Sequence, residues 1–203
     1  MIKLLTDNDK EIARHIESVG ICTAKQIAKI FYKDKSQGQA IARRRLKRLE
    51  ECGYIKITKL SFLNNTNAYI FNSKEYQNLK PSLHRILLLD YYAELFYHDI
   101  NIKYFKREQN WLSGKIKSDG FLIFDFNGKQ YFQIVEVAST NFGHNTIKKY
   151  EDLYKSNELQ GLFGEFPQII LIDSGDHFKD IDSNIKFIHL NHKLNNFVKV
   201  FDK

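Results

Sequence analysis

Two neighbouring stretches decide the fold of the first part of this chain: TAKQIAKIFY, residues 23–32, and QAIARRRLKRLEECGYIKI, residues 39–57. In the first stretch, Thr23 is a typical helix N-cap, and the apolar residues that follow recur at helical spacing. In the second stretch, Gly53 ends a helix whose apolar residues fall on one face. That face consists of Ala42, Leu46 and Leu49. The two stretches therefore predict two short helices followed by a strand.

The flanking sequence adds a helix before these stretches and a second strand after them. Ile12, Ile16 and Val19 recur at helical spacing, and the polar turn 64–67 separates a strand at 54–60 from its return at 68–71. Three helices followed by a hairpin resemble the winged helix-turn-helix domains of many bacterial proteins, and the likeness covers residues 5–75.

The winged-helix resemblance implies that the third helix reads DNA. Its polar side chains face away from the apolar stripe, and arginine can bond guanine or a phosphate through two parallel hydrogen bonds. Lysines of the hairpin are placed to contact backbone phosphates. The alternative is that the domain only docks another protein. The predicted DNA-binding residues are Gln39, Arg43, Arg44, Lys47, Lys56 and Lys59.

The charge distribution favours DNA over a protein partner for this part of the chain. Residues 1–80 contain 16 Lys and Arg against 8 Asp and Glu, whereas residues 81–203 contain 15 against 16. The whole excess of the net charge, +7, therefore lies in the first segment. A basic surface of this kind is the electrostatic signature of a nucleic-acid partner.

A polar segment ending near Pro81 marks a domain boundary, so the sequence predicts a winged-helix domain at 1–78 and an α/β domain at 79–203. The second domain begins with an apolar helix at 82–97 and continues with strands, a polar helix and two more strands. This order predicts an α/β (α+β) fold with a central mixed sheet.

The dipeptide Asn127-Gly128 fixes the register of the central hairpin. Asn-Gly between two apolar runs is the strongest short signal for a two-residue turn in which both residues have positive φ. In the register that this turn sets, Asp119 lies directly opposite Glu136, and Lys117 lies opposite Ala138. Two carboxylates in that position repel each other unless a cation or water compensates. The pair is therefore either a metal site or the frayed end of the hairpin.

The acidic hairpin resembles the PD-(D/E)xK superfamily of restriction-endonuclease-like domains, in which an Asp and a Glu on adjacent strands hold magnesium. The resemblance implies Mg²⁺ or Mn²⁺ as cofactor, with Asp119, Glu136 and Lys117 as catalytic residues and Glu108 as a third metal ligand beside the two acids. Ala138 stands where the superfamily has its lysine. Lys117 is one replacement; Lys148 or Lys149, on the following helix, is the other.

The whole pattern resembles the replication-relaxation family of plasmid and mobile-element proteins. The resemblance rests on the arginine-rich helix, Leu83-His84, Asp119-Gly120 and the segment Glu136-Val137-Ala138-Ser139-Thr140. It implies a DNA-binding protein that acts in replication, transfer or their regulation. Its second domain would serve assembly, as a homodimer or with replication or transfer proteins, without catalysis. The alternative is a Mg²⁺-dependent endonuclease targeted by the winged helix.

Several other classes find no support in the sequence. Two cysteines without CxxC spacing exclude a disulfide scaffold and a zinc finger. The most apolar run is too short to span a membrane, and the first residues lack the pattern of a secretory signal, so we expect a cytoplasmic protein with no membrane partner. Motifs for nucleotide hydrolysis, dinucleotide binding and serine hydrolysis are missing from the sequence.

Overall fold

The computed structural model describes residues 4–138, 144–173 and 185–201. The chain forms two compact units, Met1–Tyr97 and His98–Lys203. The first contains a three-stranded antiparallel sheet and the second a five-stranded mixed sheet, each accompanied by helices. The predicted α+β class with a mixed sheet is therefore confirmed. Among the described residues, no helix combines the length and the apolar character that a membrane crossing requires.

The first unit places three helices around a small antiparallel sheet, and a fourth helix follows. The strand β1, which the sequence pattern does not predict, pairs with β3, and β3 pairs with β2. The elements are α1 (Asp7–Val19), β1 (Ile21–Thr23), α2 (Ala24–Phe31), α3 (Gly38–Glu51), β2 (Ile55–Leu60), β3 (Thr66–Phe71) and α4 (Leu83–Tyr97).

The core of the first unit uses the apolar stripe that the sequence predicts for α3. The side chains of Ala42, Leu46 and Leu49 are fully buried and pack with Ile12 and Ile16 of α1. Burying this face fixes the rotation of α3 about its own axis, because the polar residues of the helix must then point outward.

Polar contacts join α4 to the preceding helices. The Gln26 side chain donates to the carbonyl oxygen of Ile86 at 3.1 Å and to the carboxylate of Asp90 at 2.8 Å. Lys29 forms an ion pair with Glu94. Helix α4 thus belongs to the first compact unit, Met1–Tyr97, and the domain boundary at 78/79 stays a prediction.

The second unit is built on one sheet with the strand order β4-β5-β6-β7-β8. The first three strands are antiparallel to one another, whereas β6, β7 and β8 are parallel. The elements are β4 (Asn101–Trp111), β5 (Ile116–Phe126), β6 (Lys129–Val137), α5 (His144–Lys155), α6 (Glu158–Phe163), β7 (Gln168–Asp173) and β8 (Phe187–Asn191).

The β5–β6 hairpin has the turn and the register that Asn127-Gly128 predicts. Both residues have positive φ, 50° and 74°. The ladder runs from the pair Phe126 and Lys129 to the pair Gly120 and Val135. The register prediction is therefore confirmed over the length of this ladder.

Helices α5 and α6 cover one face of the sheet. Their side chains Tyr150, Leu153 and Leu159 are fully buried and form a core with residues of the sheet, among them Phe121 and Ile134. Because Phe121 and Ile134 are partners across the hairpin, this is also the face on which Asp119 and Glu136 lie.

Candidate nucleic-acid interface and acidic pair

The polar face of α3 is exposed along its length, as the sequence predicts. Four of the six predicted DNA-binding residues belong to it, and all four are exposed: Gln39, Arg43, Arg44 and Lys47. They lie on the side of the helix that is turned away from its buried stripe.

The remaining two arginines of α3 have a structural role. The guanidinium of Arg45 lies 3.5 Å from one carboxylate oxygen of Asp9, and that of Arg48 lies 3.8 Å from the other. Arg48 also donates to the carbonyl oxygen of Leu4. The arginines of α3 thus fall into two groups. Arg45 and Arg48 hold α3 to the start of α1, whereas Arg43 and Arg44 are exposed.

A groove of about 530 Å³ separates α3 from the β2–β3 hairpin. Three of the predicted DNA-binding residues on α3 line it, and Lys59 lines it from β2. Two residues that sequence reasoning missed, Lys25 and Glu50, belong to the same lining. The complete lining is Thr23, Ala24, Lys25, Gln39, Arg43, Lys47, Glu50, Ile57, Lys59, Asn65, Thr66, Asn67 and Tyr69.

Tyr69 forms part of the floor of this groove. Burial raises the pKa of Tyr69. The charges of Arg43 and Glu50 also change this pKa, because Arg43 lowers it and Glu50 raises it. Glu50 could have been found from spacing, because it lies seven residues after Arg43 and therefore close to the same side of the helix. Lys25 carries no such signal.

The two hairpin lysines lie on opposite faces of β2. The Lys59 side chain is exposed and lines the groove. Lys56 is three residues earlier and thus points to the other face, where its ammonium group donates to the carbonyl oxygen of Gln77 at 3.1 Å. The structure therefore brings Lys59 together with the α3 residues but does not bring Lys56 to them.

In the second unit, Asp119 and Glu136 interact as the register predicts. They follow directly on the last pair of the hairpin ladder, Gly120 and Val135. A carboxylate oxygen of Asp119 accepts a hydrogen bond of 2.8 Å from the backbone N–H of Val137.

Glu136 lies in surroundings that disfavour its charged form. Burial raises its pKa to about 8, and the charge of Asp119 and a hydrogen bond with it act in the same direction. In its neutral form, Glu136 can donate a hydrogen bond to the carboxylate of Asp119. The Tyr150 hydroxyl donates to Glu136 from α5, a contact that the sequence pattern does not predict.

The remaining predicted site residues lie apart from this pair. The Lys117 ammonium group binds the carboxylate of Glu108 at 2.8 Å, and both side chains are more than half exposed. Ala138 is buried. Lys149 on α5, one of the alternative replacement lysines named above, is exposed, and its charge acts to lower the pKa of Glu136.

Within the part of the chain that the structure describes, the acidic pair has no third metal-ligating side chain beside it. Among the described residues, no group of three His, Cys, Asp or Glu side chains is arranged to hold a metal ion. Glu108, the predicted third ligand, binds Lys117 instead. Ser139 and Thr140, which contribute to the resemblance described above, lie outside the described residues.

Comparisons of the chain with protein-family models, with curated proteins and with solved structures find no match. A functional assignment therefore depends on the two sites themselves.

Proposed function

We propose that this chain is a DNA-binding protein of a plasmid or another mobile element, and that it binds duplex DNA through α3 and the β2–β3 hairpin. In this proposal, residues 1–78 act as a winged helix-turn-helix domain. The observation that carries the proposal is the exposed face of α3, where Gln39, Arg43, Arg44 and Lys47 are exposed while Arg45 and Arg48 bind Asp9.

The charges of the two compact units support this choice. Residues 1–97 contain 17 Lys and Arg against 10 Asp and Glu, whereas residues 98–203 contain 14 against 14. Attraction to phosphates supplies most of the affinity of a protein for DNA of any sequence. The unit with the exposed basic helix is thus also the unit with the excess positive charge.

The test compares two sets of three substitutions in the full chain. The first set is Arg43→Ala, Arg44→Ala and Lys47→Ala, and the matched control is Lys148→Ala, Lys149→Ala and Lys155→Ala on α5. All six side chains are exposed on helices. Binding to a fluorescent duplex of about 24 base pairs is measured by anisotropy over a range of salt concentrations.

We expect wild-type affinity to fall steeply with salt, by about 0.9 log unit per tenfold increase for each phosphate contacted. The α3 variant should lose most of this dependence and the α5 variant should keep it. Equal losses in the two variants, or unaltered binding in the α3 variant, would contradict the proposal.

The second unit acts in assembly rather than cleavage, either with a second copy of the chain or with replication or transfer proteins. One observation favours the alternative, a metal-dependent nuclease: Asp119 and Glu136 interact on one face of the sheet. Against it stand Ala138 in place of the lysine and the pairing of Lys117 with Glu108.

Plasmid DNA incubated with the chain and Mn²⁺ distinguishes these two functions. We expect no nicking or linearisation by the wild type. Cleavage by the wild type that disappears in Glu136→Gln would establish the nuclease instead. Cleavage that persists in Glu136→Gln would identify a contaminating activity.

A further inference from the structure

The cations of α3 are divided between solvent and a buried carboxylate. The helix carries five Lys and Arg residues, and three of them are exposed and belong to the predicted DNA-binding residues. The other two, Arg45 and Arg48, face the carboxylate of Asp9 on α1. The Asp9 side chain is fully buried, whereas the two arginine side chains are 34% and 33% exposed. Each arginine therefore lies between the surface and a buried negative charge.

Asp9 holds the two guanidinium groups by long contacts. They lie 3.5 Å (Arg45) and 3.8 Å (Arg48) from its oxygens, whereas a charge-assisted hydrogen bond measures about 2.7–2.9 Å. The Nε atom of Arg48 is buried and makes no hydrogen bond with any of the described residues. Asp9 thus offsets the charge of Arg48 but leaves one of its donors unsatisfied. A phosphate group accepts two parallel hydrogen bonds from one guanidinium group and satisfies it better.

Arg48 lies next to the exposed face of α3. It follows the exposed Arg44 by four residues and so occupies nearly the same side of the helix, one turn further on. Arg45 is the sequence neighbour of Arg44. Because both held side chains already reach the surface in part, a guanidinium group that leaves Asp9 joins the basic face of α3 without a change in the backbone.

We propose that Asp9 withholds Arg45 and Arg48 from DNA phosphates and thereby limits how many cations of α3 contribute to binding. This inference rests on the DNA-binding function proposed above. Each cation that neutralises a phosphate strengthens binding to DNA of every sequence. By withholding two of the five, Asp9 restricts this non-specific affinity. Asp9 is thus a positioning residue, which acts through the two arginines and not by contact with DNA.

The first test replaces Asp9 with asparagine in the full chain. The carboxylate accepts a hydrogen bond of 2.9 Å from the backbone N–H of Thr6, and the amide oxygen of asparagine can accept the same bond. Asp9→Asn therefore keeps this part of the helix cap and removes the charge. The matched control is Asp7→Asn, which changes the net charge equally on the same turn of α1, where Asp7 pairs with Lys10.

Binding of a fluorescent duplex is measured by anisotropy over a range of salt concentrations, and folding is checked by circular dichroism. We expect Asp9→Asn to tighten binding and to steepen the salt dependence by about 0.9 log unit for each arginine that gains a phosphate. Asp7→Asn should leave the salt dependence unaltered. A purely structural role of Asp9 cannot give this result, since a damaged fold weakens binding and adds no phosphate contact. A folded Asp9→Asn variant with the wild-type salt dependence overturns the proposal.

The second test removes the whole cluster in the triple variant Asp9→Asn, Arg45→Gln and Arg48→Gln. It leaves no buried charge without a partner, so it also decides the question if Asp9→Asn alone fails to fold. Because the withheld arginines contact no phosphate, the triple variant should keep the salt dependence of the wild type. A salt slope lower by about one or more means that the arginines contact DNA in the wild type, and this result overturns the proposal.

The failures of the two proposals are distinguishable. A wild type that does not bind the duplex overturns the DNA-binding function and this inference with it. The role of Asp9 alone is overturned if wild-type binding requires Arg43, Arg44 and Lys47 but the folded Asp9→Asn variant gains no salt dependence.

Discussion

Asp9 is a fully buried carboxylate at the start of α1, and it has several partners. It accepts hydrogen bonds from the backbone N–H and the hydroxyl of Thr6, at 2.9 and 2.7 Å, as part of a capping box. It also faces the guanidinium groups of Arg45 and Arg48. A single residue thus completes the capping box of α1 and holds α3 in place.

Replacing Asp9 should destabilise the first unit strongly. Asp9→Ala removes one half of the capping box and leaves two partly exposed arginines without their counter-charge, a loss of about 1.5–3 kcal/mol in the free energy of unfolding. The control is Asp7→Ala, since Asp7 is exposed and forms a surface ion pair with Lys10. Urea unfolding followed by circular dichroism measures both. Equal effects of the two substitutions would show that the ion pairs of Asp9 with Arg45 and Arg48 do not stabilise the fold.

At the scale of the element, the β5–β6 hairpin and α6 offer a matched pair of glycines. A Cβ atom added to Gly128 in the turn, or to Gly161 in the helix, would meet no other atom within 4 Å, so a methyl group fits at both. They differ in backbone conformation, because only Gly128 has a positive φ, 74°. A methyl group therefore has the same room at the two positions, but only Gly128 has a backbone conformation that alanine disfavours.

Alanine should therefore have opposite effects at these two positions. Gly128→Ala forces a left-handed conformation on an L-residue and should cost about 1–2 kcal/mol. Gly161→Ala removes a flexible residue from a helix and should gain about 0.5–1 kcal/mol. Thermal unfolding monitored by the fluorescence of Trp111, which lies in the second core, reports both. Two changes of the same sign would refute the turn geometry.

At the scale of the whole molecule, each compact unit contains a buried group whose titration opposes folding. Burial lowers the pKa of His15 to about 4, where its ring lies against Phe31 and Tyr92. Burial raises the pKa of Glu136 to about 8. Each shift favours the neutral form, so the charged form of each group destabilises the fold.

These shifts predict two opposite dependences on pH. Between pH 6.5 and 4 the unfolded chain protonates His15 and the folded chain does not, so this contribution to stability is lost as the pH falls. Between pH 4.5 and 8 the folded chain retains the proton of Glu136 and the unfolded chain does not, so that contribution is lost as the pH rises.

Each of two single substitutions should weaken one of these dependences. His15→Leu should reduce the loss of stability towards acid, and Glu136→Gln should reduce the loss of stability towards pH 8 and raise the melting temperature there. The exposed Glu165→Gln is the control. Melting temperatures at about pH 4, 5.5, 7 and 8.5 without added divalent ions measure all three. A Glu136→Gln variant that melts below the wild type at the highest of these pH values would contradict the shifted pKa.

The sequence by itself determined the features that depend on neighbours along the chain. Asn127-Gly128 determined the hairpin register, because few other residues tolerate positive φ at both turn positions. The spacing of Ala42, Leu46 and Leu49 determined which face of α3 is exposed, because an apolar stripe must be buried. The adjacency of Asp119 and Glu136 followed from that register.

Only the tertiary structure decided which side chains meet across long separations. Arg45 binds Asp9 rather than solvent, Lys117 binds Glu108 rather than reaching Ala138, and Tyr150 binds Glu136. The same holds for α4, which Gln26 joins to the first unit although a polar segment precedes the helix. Local preferences fix each element and its exposed face, but the partners of a charged side chain depend on how separate elements pack, and no spacing along the chain encodes that.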